Sequence, residues 1–206
     1  MPVNAILLIG PTGAGKTPLG GHVEKHGAAG KRHVHFDFGH QLRTIAEYDT
    51  PPEGFDEAEH AFIREVLEKG LLLENEHFVI ARKIIALFLR RCNFRDSDVL
   101  LLNGLPRHRD QAKDMEDVVK VKGIIALECA AGDVHARIRK NTGLDRTGRT
   151  DDSLEMVGRK LEIFRNRTEP LIDYYAAGGV PVFTIKVTSD STTEQLYSSF
   201  CVPAFQ

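Results

Sequence analysis

Gly10, Gly15, Lys16 and Thr17 fall in the order G-x-x-x-x-G-K-S/T, with Pro11, Thr12, Gly13 and Ala14 in the variable places. Residues of these types at this spacing can wrap a chain of phosphates. The backbone N–H groups of a glycine-rich loop, Ala14 included, converge on phosphate oxygens. Lys16 adds positive charge near the β- and γ-phosphates, and the Thr17 hydroxyl can ligate Mg²⁺. The flanks agree with that chemistry. An apolar run from Val3 to Ile9 reads as a strand leading in, and a helix leading out would turn its positive end toward the anion. Pro18 is compatible with the first turn of such a helix. A nucleotide is the first ligand to expect.

The elements that must hold this loop alternate along the chain. Strand patterns fall near Val3 to Ile9, Arg32 to Asp37, Asp98 to Leu102, Gly123 to Glu128 and Pro181 to Lys186, with helical patterns filling most of the gaps. That alternation predicts an α/β domain built on a mostly parallel sheet. Between Phe38 and about Glu76 several helical patterns occur without a clear strand, broken at Thr50 to Gly54, which reads as a small helical insertion. A second interruption, Lys140 to Arg149, is polar, glycine-bearing and rich in arginine. It reads either as a solvated loop or as a lid.

Bulk properties narrow the class. A chain of 206 residues with 42% hydrophobic and 27% charged residues fits one soluble domain with a sizeable core. A formal net charge of −2 offers no global basic field for nucleic acid. Cys92, Cys129 and Cys201 lack any C-x-x-C spacing, so free thiols in a reducing cytoplasm are expected and a cysteine zinc site is not. Neither a signal peptide nor a membrane-spanning stretch is read, which fits a cytoplasmic protein. His33 and His35 share a strand face and His40 follows, but no carboxylate or cysteine set completes a zinc site around them.

Further motifs accompany the phosphate loop: Asn103-Gly104-Leu105-Pro106-Arg107 with Gln111, Phe38-Gly39-His40-Gln41-Leu42-Arg43, Gly148-Arg149-Thr150-Asp151-Asp152, and Thr168-Glu169-Pro170-Leu171-Ile172-Asp173-Tyr174-Tyr175. In this order and spacing the chain resembles the adenylate kinase family of nucleoside monophosphate kinases, whose motifs read D-G-F-P-R, T-G-D-x-L-R, G-R-x-D-D and T-x-P-L-I-x-Y-Y. The resemblance covers nearly the whole chain. It implies a P-loop NTPase fold with a five-stranded parallel sheet flanked by helices. The core would comprise residues 1–37, 77–136 and 151–206, with a monophosphate-binding helical insertion at 38–76 and a short, cysteine-free lid at 137–150.

The same resemblance implies transfer of the ATP γ-phosphoryl to a nucleoside monophosphate, AMP foremost, with Mg²⁺ on the ATP. Such transfer needs positioned positive charge more than a general base. Lys16 would serve the donor phosphates. Arg43 and Arg107 match the arginines that hold the acceptor phosphate, and Gln111 the glutamine that reads the acceptor's adenine. Arg137 matches an arginine packed on the adenine of ATP, and Arg149 the one that approaches the transferring phosphoryl. Lys160 stands where another arginine is usual, with Arg159 beside it as the candidate catalytic guanidinium. ATP and the monophosphate are the expected partners, with no nucleic acid or membrane, and the chain is expected to be a monomer.

Departures from the family pattern matter equally. Asn103 and His40 replace acidic residues that help hold the Mg²⁺ hydration shell in relatives; Asp37 could partly substitute, or could cap the next helix. Phe38 replaces a threonine-like position near the acceptor base. Asn141 takes an arginine's place in the lid, where Arg139, Lys140 or Arg146 could supply the charge. Asp151 and Asp152 read either as partners of lid arginines or as helix N-terminal acids. Two other readings therefore stand beside the kinase: a nucleotide-binding or regulatory protein with weak or no transfer, and a kinase of another small metabolite.

Overall fold

Strand β1 (Val3–Ile9) is apolar from Ala5 onward and buried on both faces, as a central strand of a parallel sheet must be when helices cover each side. The computed structural model, which describes residues 1–71, 73–147 and 153–201, places it there. Around it stand β2 (His33–Asp37), β3 (Val99–Asn103), β4 (Val119–Cys129) and β5 (Val182–Val187), in the spatial order β2-β3-β1-β4-β5, and every pairing is parallel.

The strand expectations hold within a residue or two except at β4, which starts at Val119. Its first residues pair with Val3 to Ala5 before the register shifts between Ala5 and Ile6. Lys120 and Lys122 on the exposed side disguise this extension as loop.

Alternation along β1 sends Ala5, Leu7 and Ile9 to one core and Ile6 and Leu8 to another. The second core is closed by Leu19 and Val23 of α1 (Lys16–His26) and by Leu196 and Phe200 of α9 (Thr193–Phe200). The first is closed by α4 (Phe78–Arg91) and α8 (Leu171–Ala177), with α2 (Phe38–Ala46) and α3 (Glu57–Glu68) joining it. Helix α3 is started by a capping box in which the Asp56 and Glu59 side chains and backbones exchange bonds of 2.8 and 3.1 Å. The buried His60 ring nitrogen then meets Ile45 O at 2.9 Å and fastens α3 to α2. Among the described residues no strand interrupts this helical segment between β2 and β3.

The described residues also form α5 (Arg109–Asp114), α6 (Ala131–Lys140), α7 (Leu154–Ile163) and a short 3-10 helix, Asn75–His77. Helix α6 stops at Asn141, which adopts a left-handed conformation, and α7 runs on into a π-helical turn, Phe164–Thr168. Because all strands run one way, the loops after β1, β2, β3, β4 and β5 gather along a single sheet edge. Ligands of open α/β sheets bind at that edge, next to the strand where the winding reverses.

Candidate active site

The loop after β1 is shaped by residues that only glycine occupies cheaply. Gly13 and Gly15 have φ of 77° and 94°, in the left-handed region, and a Cβ on Gly13 would stand 2.9 Å from Ile138 Cγ1. Helix α1 begins directly behind, so its free N–H groups face the loop. Lys16 folds back across the loop, donating from Nζ to Gly10 O and Pro11 O at 2.7 Å each. Its ammonium is pulled down to about 8, chiefly by burial; Arg107 and Arg146 push the same way against the charges of Asp37 and Asp145. Lys16 and Arg107 are half-buried and Arg146 is buried, and positive charge gathered in this way favours an anion.

Asp37 ends β2 and caps the helix that follows, one of the two parts that its position suggested. Its Oδ1 caps α2 by accepting from His40 N at 2.9 Å, while Oδ2 accepts from the Thr17 hydroxyl at 2.5 Å and from Asn103 Nδ2 at 2.9 Å. Asn103 Nδ2 also lies 3.2 Å from Thr17 Oγ1. Burial alone would raise the Asp37 carboxyl, but the bonds from Thr17 and His40 N–H and the charges of His35 and Arg43 hold it below the usual carboxylate range. The Thr17 and Asp37 oxygens with the neighbouring Asn103 amide make a hard, oxygen-rich donor set of the kind Mg²⁺ accepts. The histidines stay out of it: His33 Nδ1 lies 3.1 Å from Lys31 O, and His35 packs on Gly20. Among the described residues no group of three or more His, Cys, Asp and Glu could hold a metal ion.

The loop after β3 supplies Arg107. Its Nε donates to Gly104 O at 3.0 Å, its backbone N donates to Gln111 Oε1 at 2.9 Å, and burial lowers its pKa from the usual guanidinium value. Gln111 is itself buried and donates from Nε2 to Leu73 O at 2.7 Å. Both ends of its amide are thus engaged within the chain, an arrangement its place on a short helix did not announce. Arg107 and Gln111 line a small cleft with Phe38, Leu42, Leu71, Leu73 and Leu105. Phe38 turns into the core beside Phe36, their ring centroids 6.3 Å apart. Arg43, exposed on α2, stands near Asp37 at the mouth of the same region.

On the opposite side Arg137 ties the phosphate loop to the segment after β5. It donates from Nε to Gly13 O at 3.0 Å and from Nη1 to Thr188 O and Ser191 O at 2.9 and 2.7 Å. Arg146 is buried over the loop, with Nη2 3.4 Å from Thr12 Oγ1. Asn141 makes this possible, because its Oδ1 accepts from Arg146 N at 3.1 Å and its Nδ2 donates to Thr147 Oγ1 at 3.2 Å. Of the cations considered for the place vacated at Asn141, Arg139 is exposed and Lys140 pairs with Asp190 at 2.9 Å, whereas Arg146 reaches the loop.

Arg149, Asp151 and Asp152 lie outside the described residues. Arg159 is not gathered with the others. It pairs with Glu155 at 2.8 Å on the solvent face of α7, with its side chain 73% exposed. Helical phase explains this, since Val157 and Leu161 carry the buried stripe and residue 159 falls opposite it.

The chain resembles known proteins in sequence and in architecture. It is 24% identical to UMP-CMP kinase 1 of Oryza sativa subsp. japonica over 180 residues, covering 86% of this chain and 65% of that protein's length. It is 27% identical to the adenylate kinase of Thermus thermophilus over 181 residues, 85% of each chain. With the adenylate kinase of Rickettsia africae it shares 29% identity over 202 residues, 84% of this chain and 87% of that one. No family model matches the chain. A solved structure of an unliganded sugar kinase from Janibacter sp. HTCC2649 superposes with a TM-score of 0.53 at 14% identity, covering 96% of this chain and 91% of that one. With the strand order and the loop after β1, that likeness makes this a P-loop NTPase fold.

Proposed function

We propose that the chain is a divergent member of the adenylate kinase family, a phosphotransferase that moves the γ-phosphoryl of ATP to a nucleoside monophosphate. One observation carries the reading: Lys16 and Arg107 belong to different strand-end loops, yet the charge of each is felt by Asp37, the carboxylate that joins Thr17 to Asn103. A site for a single nucleotide needs only the first of these loops. A second basic wall beside an apolar cleft suits a second phosphate with its nucleoside.

In this reading the loop from Gly10 to Thr17 cradles the donor phosphates and Lys16 leaves its carbonyl partners for them. Arg137 borders the donor base, Arg43 and Arg107 receive the acceptor phosphate, and Arg146, with Arg149, covers the transferring group. Charge spreading over the equatorial oxygens is then met by guanidinium groups already in place, so orientation and electrostatics supply the rate. Thr17 and Asp37 would hold Mg²⁺ with Asn103 alongside; when bound, the ion neutralises charge on the donor phosphates. The helical insertion at 38–76 serves the acceptor and the segment 137–150 covers the donor, around the remaining core.

AMP is the first acceptor to test. A pyrimidine monophosphate is the second, because the Gln111 amide is engaged at both ends and because a UMP-CMP kinase is among the relatives. A coupled assay with AMP, GMP, CMP, UMP and their deoxy forms decides between them. If no acceptor yields ADP above background, the chain is instead a nucleotide-binding protein without transfer.

A further inference from the structure

A ring of hydrogen bonds closes beside Arg107 from stretches far apart in the chain. Arg167 donates from Nη1 and Nη2 to Glu74 Oε1 and Oε2 at 2.7 Å each, across 93 positions of sequence. Its neighbour Thr168 donates from Oγ1 to Arg107 O at 2.9 Å. Arg107 N donates to Gln111 Oε1, and Gln111 Nε2 donates to Leu73 O, adjacent to Glu74. Asn75 Nδ2 pins the same stretch to Asp114 Oδ2 at 3.0 Å. The π-helical turn Phe164–Thr168 presents Arg167 and Thr168 to this ring, and local π geometry of that kind is often kept where a side chain must be re-aimed.

The Arg107 backbone is therefore gripped on both sides, from its N–H by Gln111 and from its carbonyl by Thr168, while its guanidinium bonds only to Gly104 O among the described residues. Where that guanidinium stands depends on the ring staying closed. The ionic link that closes the ring is Glu74–Arg167, whose side chains are 49% and 33% exposed, and His108 Nε2 stands 3.9 Å from Glu74 Oε2 beside it. A pair so open to water adds little to overall stability. Its two parallel bonds nevertheless fix orientation closely.

We infer that Glu74 and Arg167 are positioning residues for Arg107, and that their pairing sets this arginine for the acceptor phosphate while tying the stretch after α3 to the helix that follows the lid. The inference rests on the proposed transfer to a nucleoside monophosphate. It assigns work to residues that contact no substrate themselves, acting through the Arg107 backbone.

The test uses the full chain and the variants Glu74→Gln, Arg167→Met and the exchanged pair Glu74→Arg with Arg167→Glu. Steady-state kinetics are read for both substrates, with melting curves and calorimetric affinity for the best monophosphate acceptor. Each single variant is expected to raise KM for the monophosphate roughly tenfold, as a small misplacement of a positioned group does. KM for ATP and the melting midpoint should stay close to those of the unaltered chain, and the exchanged pair should recover most of the acceptor affinity. Unchanged acceptor KM in both single variants overturns the inference and leaves the kinase reading intact. So does a rise in both KM values together with early melting, which marks a merely structural pair. If the unaltered chain neither binds nor turns over any monophosphate, the kinase reading falls first and the positioning role falls with it.

Discussion

Asp37 and Asn103 face each other in register across β2 and β3, and a single bond of 2.9 Å from the Asn103 amide to Asp37 Oδ2 joins them beside the Thr17 hydroxyl. The site therefore has one carboxylate in this pair, and it sits on β2. Replacing Asn103 by a second acid would set two carboxylates within hydrogen-bond distance, and one would have to keep a proton or move away. Asn103→Asp is expected to lower the melting midpoint in a chelator and to regain it with Mg²⁺. Asp37→Asn is expected to weaken Mn²⁺ binding in the presence of ATP, followed by electron paramagnetic resonance, and to slow transfer. Exchanging both residues, Asp37→Asn with Asn103→Asp, should restore binding; if Asp37→Asn alone leaves Mn²⁺ affinity untouched, Asp37 is only a helix cap.

Lys16 gives the site a pH signature. In the free protein its pKa is about 8 against an ordinary 10.5, so between these values the folded chain holds fewer protons than the unfolded one. Stability of the ligand-free protein should then rise with pH through that window. Nucleotide affinity should move the opposite way, because a neutral amine does not attract the phosphates. Calorimetry at several pH values, in buffers of different ionisation heat, should show proton uptake on ATP binding near pH 8 and weaker binding above it. Lys16→Met should abolish the uptake and lower kcat by roughly 10²- to 10³-fold.

Arg107 and Arg43 are expected to act on the acceptor and not the donor. Arg107→Ala should raise KM for the monophosphate roughly 10- to 100-fold, the worth of a charge-assisted bond, with little change in KM for ATP. Arg43→Ala should do the same. A dinucleotide bridging both sites should raise the melting midpoint well beyond ATP alone in the unaltered chain, and that surplus should vanish in either variant.

Gly20 is a packing constraint at some distance from the phosphates. A Cβ there would stand 2.3 Å from His35 Cδ2 and Nε2, so Gly20→Ala must displace the imidazole that packs on α1. Overpacking of this sort costs about 1–3 kcal/mol. Denaturant unfolding should show that loss for Gly20→Ala and a partial recovery when His35→Ala is added. Equal losses with and without the histidine would place the strain elsewhere.

Much of this is legible in the amino-acid sequence. The strand from Val3 to Ile9 and the loop behind it are encoded within a few neighbouring residues, so hydrophobic pattern and motif spacing reveal them. Arg159 is a milder case: the buried stripe of Val157 and Leu161 already turns it to solvent, though its place beside Lys160, where the family pattern has an arginine, favours it. The Asp37–Asn103 bond joins residues 66 positions apart and depends on the register of two strands, which no local pattern specifies. The same holds for Arg146, whose reach to Thr12 follows from a left-handed turn at Asn141. Long-range geometry, and not residue type, decides those contacts.

The double engagement of Gln111 bears on how such a chain can change its taste in substrates. One amide there both braces Arg107 and anchors Leu73. Under the proposed transfer, a mutation at position 111 that favours another base must also rebuild the wall that carries Arg107. Drift toward a new acceptor is then easier at the cleft's exposed apolar rim, at Leu71, where exchanges leave the brace alone.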